Sequence, residues 1–161
     1  MRFDEMVVQA ALRKVGTPYI WAGKGDYCVR DGRVLRMPEM GCDEAFDCSG
    51  LVTWAVREAG GPDLRATWGA ARMWQELPDL DEEAGEDDDW FALALYGTKQ
   101  RATHVALELG RGLLLDASGG DSATLTLKDA LNANAFVRVH LDTRKDLLGY
   151  RSLVALRKRK A

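Results

Sequence analysis

The hydrophobic periodicity of this chain changes once, and the change coincides with an acidic run at residues 79–89. Before this run, apolar residues recur at the spacing of a helix face, whereas after it they alternate with polar residues as in half-buried strands. This order predicts an α+β fold in which N-terminal helices pack on a C-terminal antiparallel β-sheet. The predicted helices span residues 3–15, 48–59, 67–77 and 127–132, and Thr67 is the predicted N-cap of the third. The predicted strands span residues 90–96, 103–109, 113–117, 136–141 and 150–156.

Three segments fall outside this pattern. Residues 24–46 mix glycine, charged residues and Pro38 with little periodicity, which predicts a long loop with a small hairpin at Asp31-Gly32. The acidic linker 79–89 is predicted to be an exposed connection, because it lacks the ordered ligand spacing of a metal site. The basic tail 157–161 is predicted to be a solvated chain end rather than a binding element.

Length and composition limit the broad class of the protein. With 161 residues, of which 47% are hydrophobic and 29% charged, the chain is predicted to form one globular domain over residues 1–161. The net charge of −3 argues against a nucleic-acid-binding surface, which would carry a basic excess. No apolar stretch is long enough to span a bilayer, so we expect no membrane insertion. The N-terminus lacks the features of a signal peptide, which predicts synthesis in the cytoplasm.

Cys48 is the residue with the clearest potential for chemistry. It begins a predicted helix, where the positive end of the helix dipole favours the thiolate, the nucleophilic form of cysteine. A helix terminus supplies at most about 2 kcal/mol, whereas forming a thiolate well below neutral pH requires roughly 5 kcal/mol. A cationic neighbour is therefore needed, and the only histidines are His104 and His140.

His104 lies in an alternating strand and has a predicted carboxylate partner. If residues 110–112 form a three-residue hairpin loop, Asp116 becomes the diagonal cross-strand neighbour of His104. A two-residue loop would turn Asp116 to the opposite face. The three-residue register predicts a nucleophile, a base and a carboxylate that fixes the tautomer of the base, with the first N–H groups of the helix as oxyanion donors. The alternative is an inert buried cysteine beside a core histidine.

Several segments resemble the NlpC-type cysteine peptidases, papain-like enzymes that cut peptidoglycan stem peptides. The resemblance rests on Tyr19-Ile20-Trp21-Ala22-Gly23, on Phe46-Asp47-Cys48-Ser49-Gly50-Leu51-Val52, on Thr103-His104-Val105-Ala106-Leu107 and on Asp116-Ala117. These segments follow the order of the family along nearly the whole chain. The Asp-Cys-Ser-Gly segment with an upstream Tyr-x-Trp-x-Gly is the specific part.

The resemblance implies a role for each matched residue. Cys48 would be the nucleophile, His104 the general base and Asp116 the third polar member, a position that the family more often fills with histidine. Tyr19 would place its hydroxyl beside the thiolate, or else serve core packing. Asp47 and Ser49 would contact the substrate peptide, with Asp47 pairing with a free amine.

The chain also departs from the family pattern. Residues 24–46 form a longer insert than is usual, and Asp88-Asp89-Trp90-Phe91 replaces the Gly-Asp that normally precedes the first strand. The insert carries Cys28 and Cys42, which we expect to be reduced thiols, although a disulfide between them would leave Cys48 as the single free thiol. We expect no zinc. His140 is predicted to be structural or exposed.

These features favour a peptidoglycan hydrolase that cleaves stem-peptide amide bonds through a thioester on Cys48, without metal or organic cofactor. Such an enzyme would reach the cell wall by lysis, in a virion or by export, for example with a phage tail or through a holin. One alternative keeps the catalytic residues and changes the substrate, as in a cytosolic thiol amidase or acyltransferase. Another is a structural or virion module in which the thiol is idle.

Overall fold

The computed structural model describes residues 1–80 and 90–161. The acidic linker 79–89 was predicted to be an exposed connection without a metal site, and only Asp79 and Leu80 of it lie within the described residues. The helices of the described part are α1 (Phe3–Leu12), α2 (Cys48–Glu58), α3 (Ala70–Glu76) and α4 (Leu127–Ala133). The strands are β1 (Lys24–Gly25), β2 (Tyr27–Arg30), β3 (Arg33–Arg36), β4 (Ala45–Phe46), β5 (Ala92–Thr98), β6 (Arg101–Glu108), β7 (Leu113–Ser118), β8 (Phe136–Leu141) and β9 (Leu147–Ser152).

The C-terminal half forms one antiparallel sheet with the strand order β8-β7-β6-β5-β9. This confirms the predicted α+β architecture of helices packed on an antiparallel sheet. The last strand was predicted at residues 150–156, but β9 begins at Leu147 and the chain continues as a 3-10 helix at Val154–Lys158. The prediction was shifted because two buried residues, Leu153 before that short helix and Leu156 within it, extend the apolar pattern beyond the strand.

One face of the sheet carries the main core. Leu95, Val105, Leu107 and Leu115 are fully buried in the same cluster as the apolar faces of α1 and α2. Helix α2 packs against both β6 and β7. The start of α2 is therefore held next to the strands that carry His104 and Asp116.

The segment predicted as a long loop is ordered by short elements. Strands β2 and β3 form the predicted hairpin, and Asp31 and Gly32 at its turn have φ angles of 50° and 73°, as a two-residue type I′ turn requires. A 3-10 turn, Met37–Met40, follows, and β1 pairs with β4. The segment has its own small core of Ile20, Cys28, Met37, Met40 and Ala45.

Helix α3 begins later than predicted. Its N-cap is Gly69 rather than Thr67, whose backbone N–H instead donates to the carbonyl of Leu64 at 3.2 Å. Trp68 is buried, and its indole N–H donates to the carbonyl of Lys160 at 3.0 Å. The backbone of the basic tail is thus anchored to the body of the protein, while the side chains of Arg157, Lys158 and Lys160 are exposed to solvent.

Asp79, the first residue of the acidic linker, and Trp90, which follows the linker, both contact the body of the protein. Asp79 forms an ion pair with Arg151 of β9, and the backbone N–H of Trp90 donates to the buried carboxylate of Asp4 at 2.7 Å. None of the helices in the described ranges has the length and apolar character needed to cross a membrane.

Candidate active site

Cys48 is the first residue of α2, and close backbone packing fixes that position. Asp47 is the N-cap, and its Oδ1 accepts the N–H of Gly50 at 2.6 Å. The N–H of Asp47 donates to the carbonyl of Gly23 at 3.0 Å. A Cβ on Gly50 would lie 2.0 Å from that same carbonyl oxygen, so only glycine fits there. Gly23, which provides the carbonyl, and Gly50, which has no Cβ, therefore fix the start of α2.

His104 and Asp116 meet as the three-residue hairpin register predicts. Glu108 pairs with Leu114, and the N–H of Leu109 donates to the carbonyl of Leu113 at 2.8 Å. The imidazole Nε2 of His104 lies 2.7 Å from Oδ2 of Asp116. Both side chains are buried, so this contact is sheltered from water.

The charges of the site favour a protonated imidazole. Burial opposes the charged form of His104, but hydrogen bonding with Asp116 and with Cys48 outweighs burial and raises the pKa of His104 to about 9. Burial likewise opposes the Asp116 carboxylate, yet hydrogen bonds from His104 and His140 lower its pKa. At neutral pH, His104 is therefore an imidazolium between the sulfur of Cys48 and a carboxylate.

His140 was predicted to be structural or exposed, and the structure corrects this prediction by placing it in the site. Its Nε2 lies 2.7 Å from Oδ1 of Asp116, opposite the oxygen that contacts His104. On β8, His140 pairs with Leu114, which puts it diagonally across from Asp116. The period of β8, with Arg138 and His140 on one face, was the signal available in the sequence. It was insufficient because the register between β7 and β8 depends on the long connection that contains α4.

Tyr19 lies beside Cys48 with its ring buried against the backbone of Gly120. A Cβ on Gly120 would approach the ring to 2.2 Å, which explains the glycine. Burial raises the pKa of the Tyr19 hydroxyl, and the negative charges of Cys48, Asp47 and Asp121 raise it further. Tyr19 is therefore a neutral phenol whose O–H is available as a donor at the site.

Asp47 and Ser49 have partners within the chain. The ammonium of Lys24 lies 2.8 Å from Oδ2 and 3.0 Å from Oδ1 of Asp47. Ser49 is buried, and its hydroxyl donates to Oδ1 of Asp47 at 3.4 Å. The structure thus brings Tyr19, Asp47 and Cys48 together, and it adds Lys24, which the sequence did not single out.

The other two cysteines lie apart from this cluster. Cys28 and Cys42 are free thiols that pack in or against the small core of the 24–46 insert. Burial raises the pKa of both thiols, which is typical of structural cysteines rather than nucleophiles. Among the residues that the structure describes, no group of three His, Cys, Asp or Glu side chains could hold a metal ion.

Sequence comparisons identify relatives of this chain. The model of the NlpC/P60 family matches residues 16–140. A probable endopeptidase of Mycobacterium tuberculosis is 31% identical over 112 residues, which are 70% of this chain and 23% of that protein. The peptidoglycan endopeptidase RipB of the same species is 31% identical over 120 residues, which are 71% of this chain and 43% of RipB. The chain therefore spans less than half the length of these curated relatives.

Solved structures share the fold. The peptidoglycan hydrolase RipB from Mycobacterium tuberculosis has a TM-score of 0.58 at 24% identity, covering 94% of this chain and 64% of that one. RipD from the same species, described as a non-catalytic NlpC/p60 domain protein with an adaptation to peptidoglycan-binding function, has a TM-score of 0.58 at 20% identity, covering 93% and 95%. Together with the family match over most of its length, the arrangement of Cys48, His104 and Asp116 leads to one conclusion: this chain belongs to the NlpC/P60 family.

Proposed function

We propose that this protein is a peptidoglycan hydrolase, a cysteine endopeptidase or amidase that cleaves an amide bond of the stem peptide. The observation that carries the proposal is the geometry of His104, whose Nε2 lies 2.7 Å from the buried Asp116 and whose ring also hydrogen-bonds with Cys48, contacts that raise its pKa to about 9. An imidazolium beside a thiol at a helix N-terminus supplies the cation that a nucleophilic thiolate needs. The similarity to RipB and to the bifunctional muramidase/DL-endopeptidase CwlT of Bacillus subtilis supports the substrate class.

The proposed reaction has two halves. The Cys48 thiolate attacks the carbonyl carbon, a C–S bond forms, and the His104 imidazolium gives its proton to the departing amine as the C–N bond breaks. Neutral His104 then takes a proton from water, and the hydroxide displaces Cys48 from the thioester to release a carboxylic acid. Because Nε2 of His104 is hydrogen-bonded to Asp116, Nδ1 is the nitrogen that donates the proton to the amine and accepts the proton from water.

Other groups near Cys48 are assigned to oxyanion stabilisation, to substrate binding and to the positioning of Asp116. The backbone N–H groups of Cys48 and Ser49 precede the Gly50 N–H, which Asp47 already binds, and would face the oxyanion. We assign Tyr19, Asp47 and Ser49 to the substrate-binding wall. His140 is a positioning residue, because it holds the oxygen of Asp116 that does not contact His104.

The direct test is digestion of purified peptidoglycan sacculi followed by mass analysis of the released muropeptides. The wild-type protein should release fragments cut within the stem peptide, and Cys48→Ala should release none. Cys42→Ala is the matched control, since Cys42 is a partly exposed thiol outside the site, and it should keep full activity. Intact sacculi after incubation with the wild type would contradict the proposal. Cleavage of other amides or esters by that same protein would favour a thiol amidase or acyltransferase.

A second candidate function is peptidoglycan binding without cleavage. The fold similarity to RipD, which is described as non-catalytic, favours this alternative. It predicts that the protein sediments with sacculi, that no muropeptide is released, and that iodoacetamide does not alkylate Cys48 faster than Cys42. Under either function the place of action is the bacterial cell wall, and delivery by a phage tail, a holin or an export machine stays a prediction.

A further inference from the structure

The carboxylate next to the candidate nucleophile is already neutralised from within the chain. Asp47 accepts the Gly50 N–H at 2.6 Å, and both of its oxygens contact the Lys24 ammonium, at 3.0 and 2.8 Å. The side chains of Lys24 and Asp47 are only 12% and 14% exposed. A largely buried carboxylate with this many donors has little capacity left for a cationic ligand.

Lys24 is fixed in this position by its backbone. It lies in β1, where it pairs with Phe46 of β4, two residues before Cys48. Its carbonyl accepts a hydrogen bond from Arg65 at 3.4 Å. Moving the ammonium away would leave a largely buried carboxylate without its counter-ion, which is strongly destabilising in proteins. The Lys24–Asp47 ion pair is therefore a stable part of the proposed substrate-binding wall beside Cys48.

This pair changes which substrates the wall can accept. Where the proposed substrate-binding wall receives the N-terminus of the peptide at Asp47, a free ammonium would meet the Lys24 ammonium and a carboxylate whose oxygens are occupied. A peptide whose N-terminus is acylated is uncharged there and needs no counter-ion. Stem peptides that are still attached to glycan through the lactyl group of muramic acid have such an acylated N-terminus, whereas peptides released from glycan have a free amine.

We propose that Lys24 is a specificity-determining residue that fits the site to glycan-attached stem peptides and disfavours released peptides with a free amine. This inference rests on the proposed hydrolase function and names the form of its substrate. It replaces the expectation that Asp47 pairs with a substrate amine.

The test compares two forms of one substrate. Muropeptides from a muramidase digest of sacculi are used either intact or after an amidase has removed the sugar and left a free N-terminal amine. We expect kcat/KM of the wild type to be at least about tenfold higher for the intact form, which corresponds to about 1.4 kcal/mol of discrimination. Lys24→Met should lower this ratio at least about tenfold, through a lower KM for the free-amine form. Lys24→Arg keeps the charge and should keep the preference.

Lys14→Met is the matched control. The ammonium of Lys14 pairs with Glu44 at 2.7 Å rather than with Asp47, so its loss should leave the ratio unchanged. A wild type that cuts the free-amine form equally well or better would overturn the inference, and this result does not depend on the folding of any variant. An unchanged ratio in folded Lys24→Met would also overturn it. If the wild type cuts neither form and no sacculi, the proposed function itself fails.

Discussion

Two buried carboxylates, Asp4 in helix α1 and Asp116 on strand β7, have different hydrogen-bond partners. Asp4, in the first turn of α1, is fully buried and accepts the backbone N–H groups of Trp90 and Phe91 at 2.7 and 3.2 Å. Asp116, on β7, is held by the imidazoles of His104 and His140 at 2.7 Å each. The backbone donors of Asp4 cannot lose their protons, whereas the imidazole donors of Asp116 can.

The difference separates a structural carboxylate from a chemical one. Asp4 joins the start of α1 to the strand entry after the acidic linker, so its contribution is to the free energy of unfolding. Asp116 holds a ring that can exchange a proton with its surroundings, so under the proposed function its contribution is to the reaction. Burial alone does not distinguish the two carboxylates, but the chemical identity of their partners does.

The largest expected effect is on the reaction. Asp116→Asn keeps the shape of the side chain but removes the charge that keeps His104 protonated and orients its ring. We expect kcat for muropeptide release to fall about a thousandfold, while the circular dichroism spectrum stays native. Activity within tenfold of the wild type would mean that Asp116 is structural, like Asp4.

The next-largest expected effect is a loss of stability when Asp4 is replaced. Asp4→Ala leaves the N–H groups of Trp90 and Phe91 without their acceptor, and we expect the free energy of unfolding in urea to fall by about 2–3 kcal/mol. The specific activity of the folded variant should match the wild type. Glu58→Ala, which removes an exposed carboxylate, is the control and should change stability by less than about 0.5 kcal/mol. Lost activity in folded Asp4→Ala would erase the contrast.

A smaller effect on the reaction is expected at His140. Replacing it by Ala frees one oxygen of Asp116, and we expect kcat to fall about tenfold, or 1.4 kcal/mol, with KM unchanged. His140→Gln offers an amide donor in the same place and should restore most of the rate. Val139→Ala changes the neighbouring residue on the other face and should have no effect. A change in KM alone would assign His140 to substrate binding instead.

The smallest effect follows from pH. Because the folded-state pKa of His104 is raised to about 9, the stability that its charge contributes is complete below its usual value of 6.5 and is lost as the pH rises from there through 9. The imidazolium is also the proposed acid, so kcat/KM should fall to half its plateau near pH 9. Asp116→Asn should move the alkaline decline of kcat/KM to lower pH, whereas Asp4→Ala should leave it in place. An alkaline decline at the same pH in Asp116→Asn would contradict the assignment of His104 as the acid.

The elements with strong periodicity were predictable. Helix α2 was expected at residues 48–59 and ends at Glu58, and β8 was expected at residues 136–141 and has those bounds. The meeting of His104 and Asp116 was predictable as well, because a short hairpin loop sets the register of β6 and β7. Local rules were sufficient wherever the partners are close in the sequence.

Contacts across longer separations were not predictable. His140 reaches Asp116 over 24 residues, and Lys24 reaches Asp47 over 23, with no tight turn to fix either approach. The 24–46 insert shows little periodicity because its core is small and its strands are short. The start of α3 was misplaced because a buried contact of Trp68 takes precedence over the capping preference of Thr67.

The sequence by itself determined the α+β architecture, the place of Cys48 at a helix start and the alignment of His104 with Asp116, because each depends on side-chain period or on a short turn. The tertiary structure decided that His140 joins Asp116 and that Lys24 occupies the carboxylate beside Cys48. Those two contacts depend on how separate segments approach in space, and that approach is set by the packing of the whole core rather than by any local pattern.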